Sequence, residues 1–172
     1  MQKSRYNAPR ITSRPIHPAD QAKGDEGERR FKGWLDASRL PHVYLDQTPM
    51  SVPDHLRGEI KRPDYVVGVP GVGAVAFDVK VKSLYNGHFI FELDEIRRMR
   101  TFARFFHMTV YFACLNPDGS PESYWIRLDQ FDNFAAVRRG SSITLKIPAD
   151  AALSVSMRKS FHAAFLDAVT LA

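Results

Sequence analysis

The stretch from residue 64 to residue 83 constrains this chain more than any other. Two β-forming runs, Asp64-Tyr65-Val66-Val67 and Ala74-Val75-Ala76-Phe77-Asp78-Val79-Lys80-Val81, flank the segment Gly68-Val69-Pro70-Gly71-Val72-Gly73. Three glycines and a proline cannot continue a helix or a central strand, so the chain should turn back there and the runs should pair as an antiparallel hairpin. Strand side chains alternate between faces, which puts Phe77, Val79 and Val81 on one side and Asp78, Lys80 and Lys82 on the other. The apolar side is expected to be core. The hairpin would also bring Asp64, at the outer end of the first run, beside Asp78, and two adjacent carboxylates repel each other unless a cation lies between them.

Around this hairpin the chain reads as a mixed α/β domain, with a central mixed β-sheet flanked by helices. Phe31, Trp34 and Leu35 recur at helical spacing between residues 24 and 40, and Asp25, Glu26 and Glu28 crowd the first turn, where the helix dipole favours carboxylates. A second helix is expected over 94–106, with Ile96, Met99, Phe102 and Phe105 inward, and a third within 154–171. Val43-Tyr44-Leu45, Thr109 to Leu115, Tyr124 to Leu128 and Ser142 to Ile147 read as strands. Residues 1–22, with Pro9, Pro15 and Pro18 and no periodicity, read as a basic, disordered arm, and 23–172 as a single domain.

Oxygen ligands such as Asp64 and Asp78 suit Mg²⁺, which takes one or two carboxylates and keeps several waters. An ion there can polarise a phosphodiester, and a nearby ammonium can neutralise charge developing on the phosphate. In this setting Pro63-Asp64 followed by Asp78-Val79-Lys80 resembles the motif of the PD-(D/E)XK nuclease superfamily, whose members have a restriction endonuclease-like core. Gly27-Glu28-Arg29-Arg30-Phe31 is similar to the acidic helix that precedes these strands in the Holliday junction resolvase-like branch. The resemblance covers roughly residues 24–115. It implies that Asp64, Asp78 and Glu28 hold metal, with the backbone carbonyl of Val79 a further ligand and Lys80 the catalytic lysine. Glu26 is the alternative to Glu28. Aspartate at position 78 departs from the commoner glutamate.

The expected activity is therefore a Mg²⁺-dependent DNA endonuclease, with Mn²⁺ able to substitute. The alternative is a non-catalytic nucleic-acid- or protein-binding module on the same scaffold. Lys61, Arg62, Lys82 and Ser83, which flank the motif, and Arg97 and Arg98 on the second helix are the candidate DNA contacts. A homodimer is left open as a way of cutting both strands. No organic cofactor is expected.

Net charge bears on the DNA reading only once it is located. The chain carries +5, but residues 1–23 hold five basic residues against Asp20, leaving +1 for the remainder. The arm is thus the basic element. Other chemistries lack their residues. The single Cys114 lies in the apolar run Val110 to Leu115 and reads as an inert thiol. The six histidines are scattered, the glycine-rich connection lacks the Gly-Lys-Ser/Thr of a phosphate loop, and Ser83 has no readable His and Asp partners. With no long apolar run and no secretory leader, a cytoplasmic location is expected.

Overall fold

A computed structural model describes residues 18–48 and 51–170. Within them nine strands and three α-helices follow the order α1 (Pro18–Ala37), β1 (His42–Tyr44), β2 (Tyr65–Val69), β3 (Gly73–Val81), β4 (His88–Glu92), α2 (Leu93–Phe106), β5 (Thr109–Leu115), β6 (Glu122–Arg127), β7 (Ala136–Arg139), β8 (Ser142–Pro148), β9 (Leu153–Ser156) and α3 (Phe161–Thr170). Six strands form the central sheet in the order β1-β2-β3-β5-β6-β9, and β4-β8-β7 make a second, smaller sheet.

β2 and β3 pair antiparallel, with Tyr65 opposite Phe77 and Val69 opposite Gly73, as the Gly/Pro connection requires. Gly71 and Gly73 adopt φ of +76° and +112°, conformations that a side chain would strain. The parallel pairing of β3 with β5 (Asp78 opposite Phe112) makes the sheet mixed, and the crossover between them carries β4 and α2. A parallel connection of this kind must leave the sheet and return over one of its faces.

That crossover decides the environment of β3. One face of the sheet is covered by α1 and α3, whose Phe31, Trp34 and Phe161 pack with Phe77 and Trp125. The other is covered by α2 and the small sheet, where Ile96, Met99 and Phe102 meet Phe89, Phe91, Phe112 and Phe131. Both faces of β3 are therefore buried. Asp78, expected on the open side of a half-buried strand, is fully enclosed on the α2 side.

Other expectations are adjusted. α1 begins at Pro18 rather than near residue 24, because proline's fixed φ suits the first turn of a helix and its missing N–H costs nothing there. Of the basic arm expected over 1–22, residues 1–17 lie outside the described residues, and 18–22 are helical. Phe105 is exposed, since the stripe of α2 that packs inward ends at Phe102. The tail is β9 followed by a shorter α3, not one long helix. Among the described residues no helix is long and apolar enough to cross a membrane.

Candidate metal and phosphate site

β3 runs beyond the end of β2, and the side chain of Asp64 fills the position the partner strand vacates. The Asp64 N–H donates to the carbonyl of Phe77 at 2.9 Å as a last backbone rung, and its Oδ2 then accepts the Val79 N–H at 2.6 Å in place of a strand carbonyl. The carboxylate is thereby fixed against the strand that carries Asp78 and Lys80. Burial first, and the Asp78 charge second, push the Asp64 carboxyl up to about 7.

Asp78 is held between two ammonium groups. Its Oδ1 accepts from Lys61 Nζ, and Lys80 Nζ lies 2.6 Å from Oδ2. Glu95, from the first turn of α2, closes the ring, with Oε1 3.0 Å from both Lys61 Nζ and Lys80 Nζ. All four side chains are mostly or wholly shielded from solvent. Burial opposes the charge of Lys80, but Asp78, Glu95 and Asp64 outweigh it and hold the ammonium well above its ordinary range. Burial alone would likewise raise the Glu95 carboxyl, yet Lys80 and Lys61 keep it low. Lys80 is therefore a permanent cation, suited to a phosphate oxygen and unsuited to removing protons.

Glu28 approaches from α1. Gly27, just before it, makes this possible: a Cβ there would overlap Val81 Cγ2, so only glycine lets the helix lie this close to β3. Burial raises the Glu28 carboxyl while a hydrogen bond from the Tyr44 hydroxyl opposes the rise, and Lys80 and Asp78 are both near enough to act on it. The Tyr44 phenol is in turn pushed up to about 12 by burial and the Glu28 charge, so it stays a donor at any physiological pH. Glu26 instead pairs with Arg29 on the exposed side of the helix.

The flanking residues separate into groups. Lys61 turns inward to the ring. Arg62 clasps the preceding loop through the Ser51 hydroxyl and the Thr48 carbonyl (3.1 Å). Lys82 donates to the Ile90 carbonyl at 2.7 Å and lies 4.6 Å from the Phe91 ring centre, tying β3 to β4, and burial lowers its ammonium. Arg98 pairs with Asp94 at 2.9 Å and borders the clefts on both sides of the ring. Arg97 is exposed on another side of α2, toward Ser141 and Ile143, and Ser83 is exposed just after β3.

Among solved structures, the chain aligns with Hjc, a Holliday junction resolvase from the hyperthermophile Archaeoglobus fulgidus, at a TM-score of 0.53 and 20% identity, covering 78% of this chain and 96% of that one. This is the restriction endonuclease-like fold. A nuclease from a fusselovirus also aligns, at 12% identity and a TM-score of 0.46, over 80% of this chain and 88% of that one. No family profile and no curated protein matches the chain.

Within this restriction endonuclease-like fold, Asp64, Asp78, Val79 and Lys80 meet at the carboxyl end of β3, and Glu28 on α1 lies near enough to feel the charges of Lys80 and Asp78. Among the described residues no three His, Cys, Asp or Glu side chains converge closely enough to grip a cation as they stand. The donors nevertheless fit a hard divalent ion. All are oxygens, Asp78 Oδ2 makes no well-directed hydrogen bond despite its ion pair, and Asp64 uses only Oδ2 on the Val79 N–H. Glu95 does not stand out in the sequence, where an acid in a first helical turn reads as a partner of the helix dipole. The available signal is its position: Glu95 stands four residues before Met99 and seven before Phe102, on the buried stripe of α2, whereas Asp94 faces solvent.

Proposed function

We propose that this chain is a divalent-metal-dependent DNA endonuclease. The observation that carries the reading is Lys80: a mostly shielded, permanently charged ammonium held 2.6 Å from a fully buried aspartate that lies beside a second one. Such a cluster is costly to bury and contributes little to stability that apolar packing would not supply. Asp64 and Asp78, with the Val79 carbonyl, would hold Mg²⁺ or Mn²⁺; bound there, the ion supplies Lewis acidity to the scissile phosphate and to water.

The chain's own groups then divide the work. The Lys80 ammonium donates to a non-bridging phosphate oxygen and offsets the charge that builds as water adds to phosphorus. Glu95 and Asp78 fix its position and keep it protonated. Glu28, its carboxylate held by the Tyr44 hydroxyl, accepts a hydrogen bond from the attacking water and orients it. The oxygen–phosphorus bond to water forms as that water gives up a proton to solvent, the bond to the leaving strand breaks, and solvent delivers a proton to the leaving oxygen. Arg98, at the rim, positions the backbone.

The test is cleavage of blunt duplex, single-stranded, flapped and four-way branched DNA with Mg²⁺ or Mn²⁺. Cleavage of at least one substrate by the wild type, and its loss in Asp78→Asn and Lys80→Ala with the fold intact by circular dichroism, supports the reading. Failure of the wild type on every substrate, including an RNA control, overturns it. One observation favours the second reading, a non-catalytic binding module: Lys61 and Lys80 already neutralise Asp78 and Glu95 without any metal. A metal titration separates the two.

A further inference from the structure

Beyond the ring of charges, a cleft of about 760 Å³ opens between the start of α2 and the small sheet, bordered by three cations, Lys82, Arg98 and Arg139, and two carboxylates, Glu92 and Glu95. This lies within the ~300–1,000 Å³ typical of sites for small molecules or single nucleotides. Glu95 belongs to both the ring and the cleft, so the cleft meets the ring at the carboxylate whose Oε1 lies 3.0 Å from Lys80 Nζ. At its other side Arg139, from exposed β7, places its guanidinium 5.1 Å from the ring centre of Tyr85.

Tyr85 is held in a way that suits a contact surface. It precedes the two-residue turn Asn86-Gly87, both with positive φ (48° and 75°), and is closed onto His88 by two backbone hydrogen bonds, Tyr85 N–H to the His88 carbonyl (2.8 Å) and the return at 3.1 Å. Asn-Gly is the favoured pair for a two-residue hairpin turn of this kind. The same turn is locked further by His88 Nδ1, 2.7 Å from the Asn86 carbonyl. Yet the tyrosine ring so carefully mounted is 56% exposed. Arg139 meets no carboxylate among the described residues, so its N–H groups stay available to an anion while its charge sits over the ring.

We infer that Tyr85 and Arg139 form a clamp for an unpaired nucleotide, the base stacking on the Tyr85 ring and the adjoining phosphate meeting Arg139, with the strand continuing through the cleft to Lys80. The inference rests on the nucleic-acid reading of the site. A paired base already has both faces stacked inside the duplex and cannot use an exposed ring; a splayed base can, and such stacking is largely indifferent to sequence. Half-buried Ser142 along the cleft adds a polar group suited to a sugar-phosphate strand. The substrate class this specifies is DNA with unpaired nucleotides next to the scissile phosphate: an overhang, flap or gap.

Fluorescence anisotropy in EDTA tests this without cleavage. The probes are a blunt duplex and the same duplex with a single-stranded overhang. For wild type the overhang DNA should bind more tightly. Tyr85→Ala should weaken it by roughly 5- to 100-fold, as expected for the loss of one stacked base, and leave the blunt duplex unchanged, while Tyr85→Trp keeps wild-type affinity. Arg139→Gln should weaken the overhang DNA and lower the salt dependence of its binding. Equal losses on both DNAs, or no loss with Tyr85→Ala, overturn the clamp. These results stand apart from the nuclease reading, which fails on absent cleavage whatever the binding shows.

Discussion

The Lys61–Asp78–Lys80–Glu95 ring is a set of charges that only makes sense complete. Removing one member leaves its partner buried and unpaired, which costs more than the pair itself contributes. Glu95 touches neither the proposed metal nor the phosphate, so on the nuclease reading it positions Lys80. Glu95→Gln should lower the cleavage rate about 10- to 100-fold, the range seen when groups supporting an active-site residue are removed. It should do so with KM little changed. A rate equal to wild type would show that Lys80 holds its place without Glu95. Asp64 gives a test at the same scale that needs no substrate. Its carboxyl sits near 7 in the folded chain against 3.8 for an ordinary aspartate, so between those values the native state binds a proton that the unfolded state does not. In EDTA this group therefore makes stability fall as pH rises from about 4 to about 7. Asp64→Asn should remove that part of the slope and be more stable than wild type at pH 8, measured by urea unfolding. A wild-type curve whose slope the substitution leaves unaltered would contradict the buried, charge-repelled setting assigned to Asp64.

Among the elements, α1 is the one whose height above the sheet matters most, because it carries Glu28. Two glycines on it give opposite expectations. Gly33 has open space around it, so Gly33→Ala should stabilise the chain by about 0.5–1 kcal/mol through helix propensity alone. Gly27→Ala drives a methyl into Val81 and should destabilise by about 1–3 kcal/mol, as overpacking does, while displacing Glu28 and slowing cleavage. Thermal melts of the two variants side by side check this, and the same sign for both would mean α1 is free to lift from β3. The long elements are legible in the sequence: β2, β3 and β5 by their apolar runs and the Gly/Pro connection, and α2 by Ile96, Met99 and Phe102. The small sheet is legible only in β8. β4 reads as a lead-in to the helix, and β7, Ala136–Arg139, is exposed throughout and has no apolar alternation to announce it. β9 merges into the following helix because Val155 and Met157 fit either period. The site is legible in its residues but not in its burial. Asp78 on an alternating strand reads as solvent-facing, and only the return of α2 over the sheet encloses it and brings Glu95 to Lys80.

For the whole molecule, charge is distributed against the first impression of a basic protein. Residues 1–17 contain Lys3, Arg5, Arg10 and Arg14 and no acid, while of the two clefts that border the ring one mixes both signs and the other, lined by Arg57, Lys61, Arg62 and Arg98, is basic. Deleting residues 1–17 should weaken DNA binding and reduce the slope of log affinity against log salt by up to ~4, about 0.9 for each phosphate that the arm would otherwise neutralise. Cleavage at saturating DNA should be kept. An unchanged salt slope would move the main electrostatic attraction onto the folded part of the chain. The restriction endonuclease-like fold itself leaves open whether the scaffold still does chemistry, and that turns on whether Asp64 and Asp78 hold a metal. Calorimetric titration of Mn²⁺ into the metal-free protein decides it most directly. One ion should bind per chain at pH 7.5, with binding lost in Asp78→Asn and tighter in Lys61→Met, which removes the competing ammonium. No heat of binding in the wild type or in Lys61→Met, with the fold intact, would contradict a metal centre at Asp64 and Asp78.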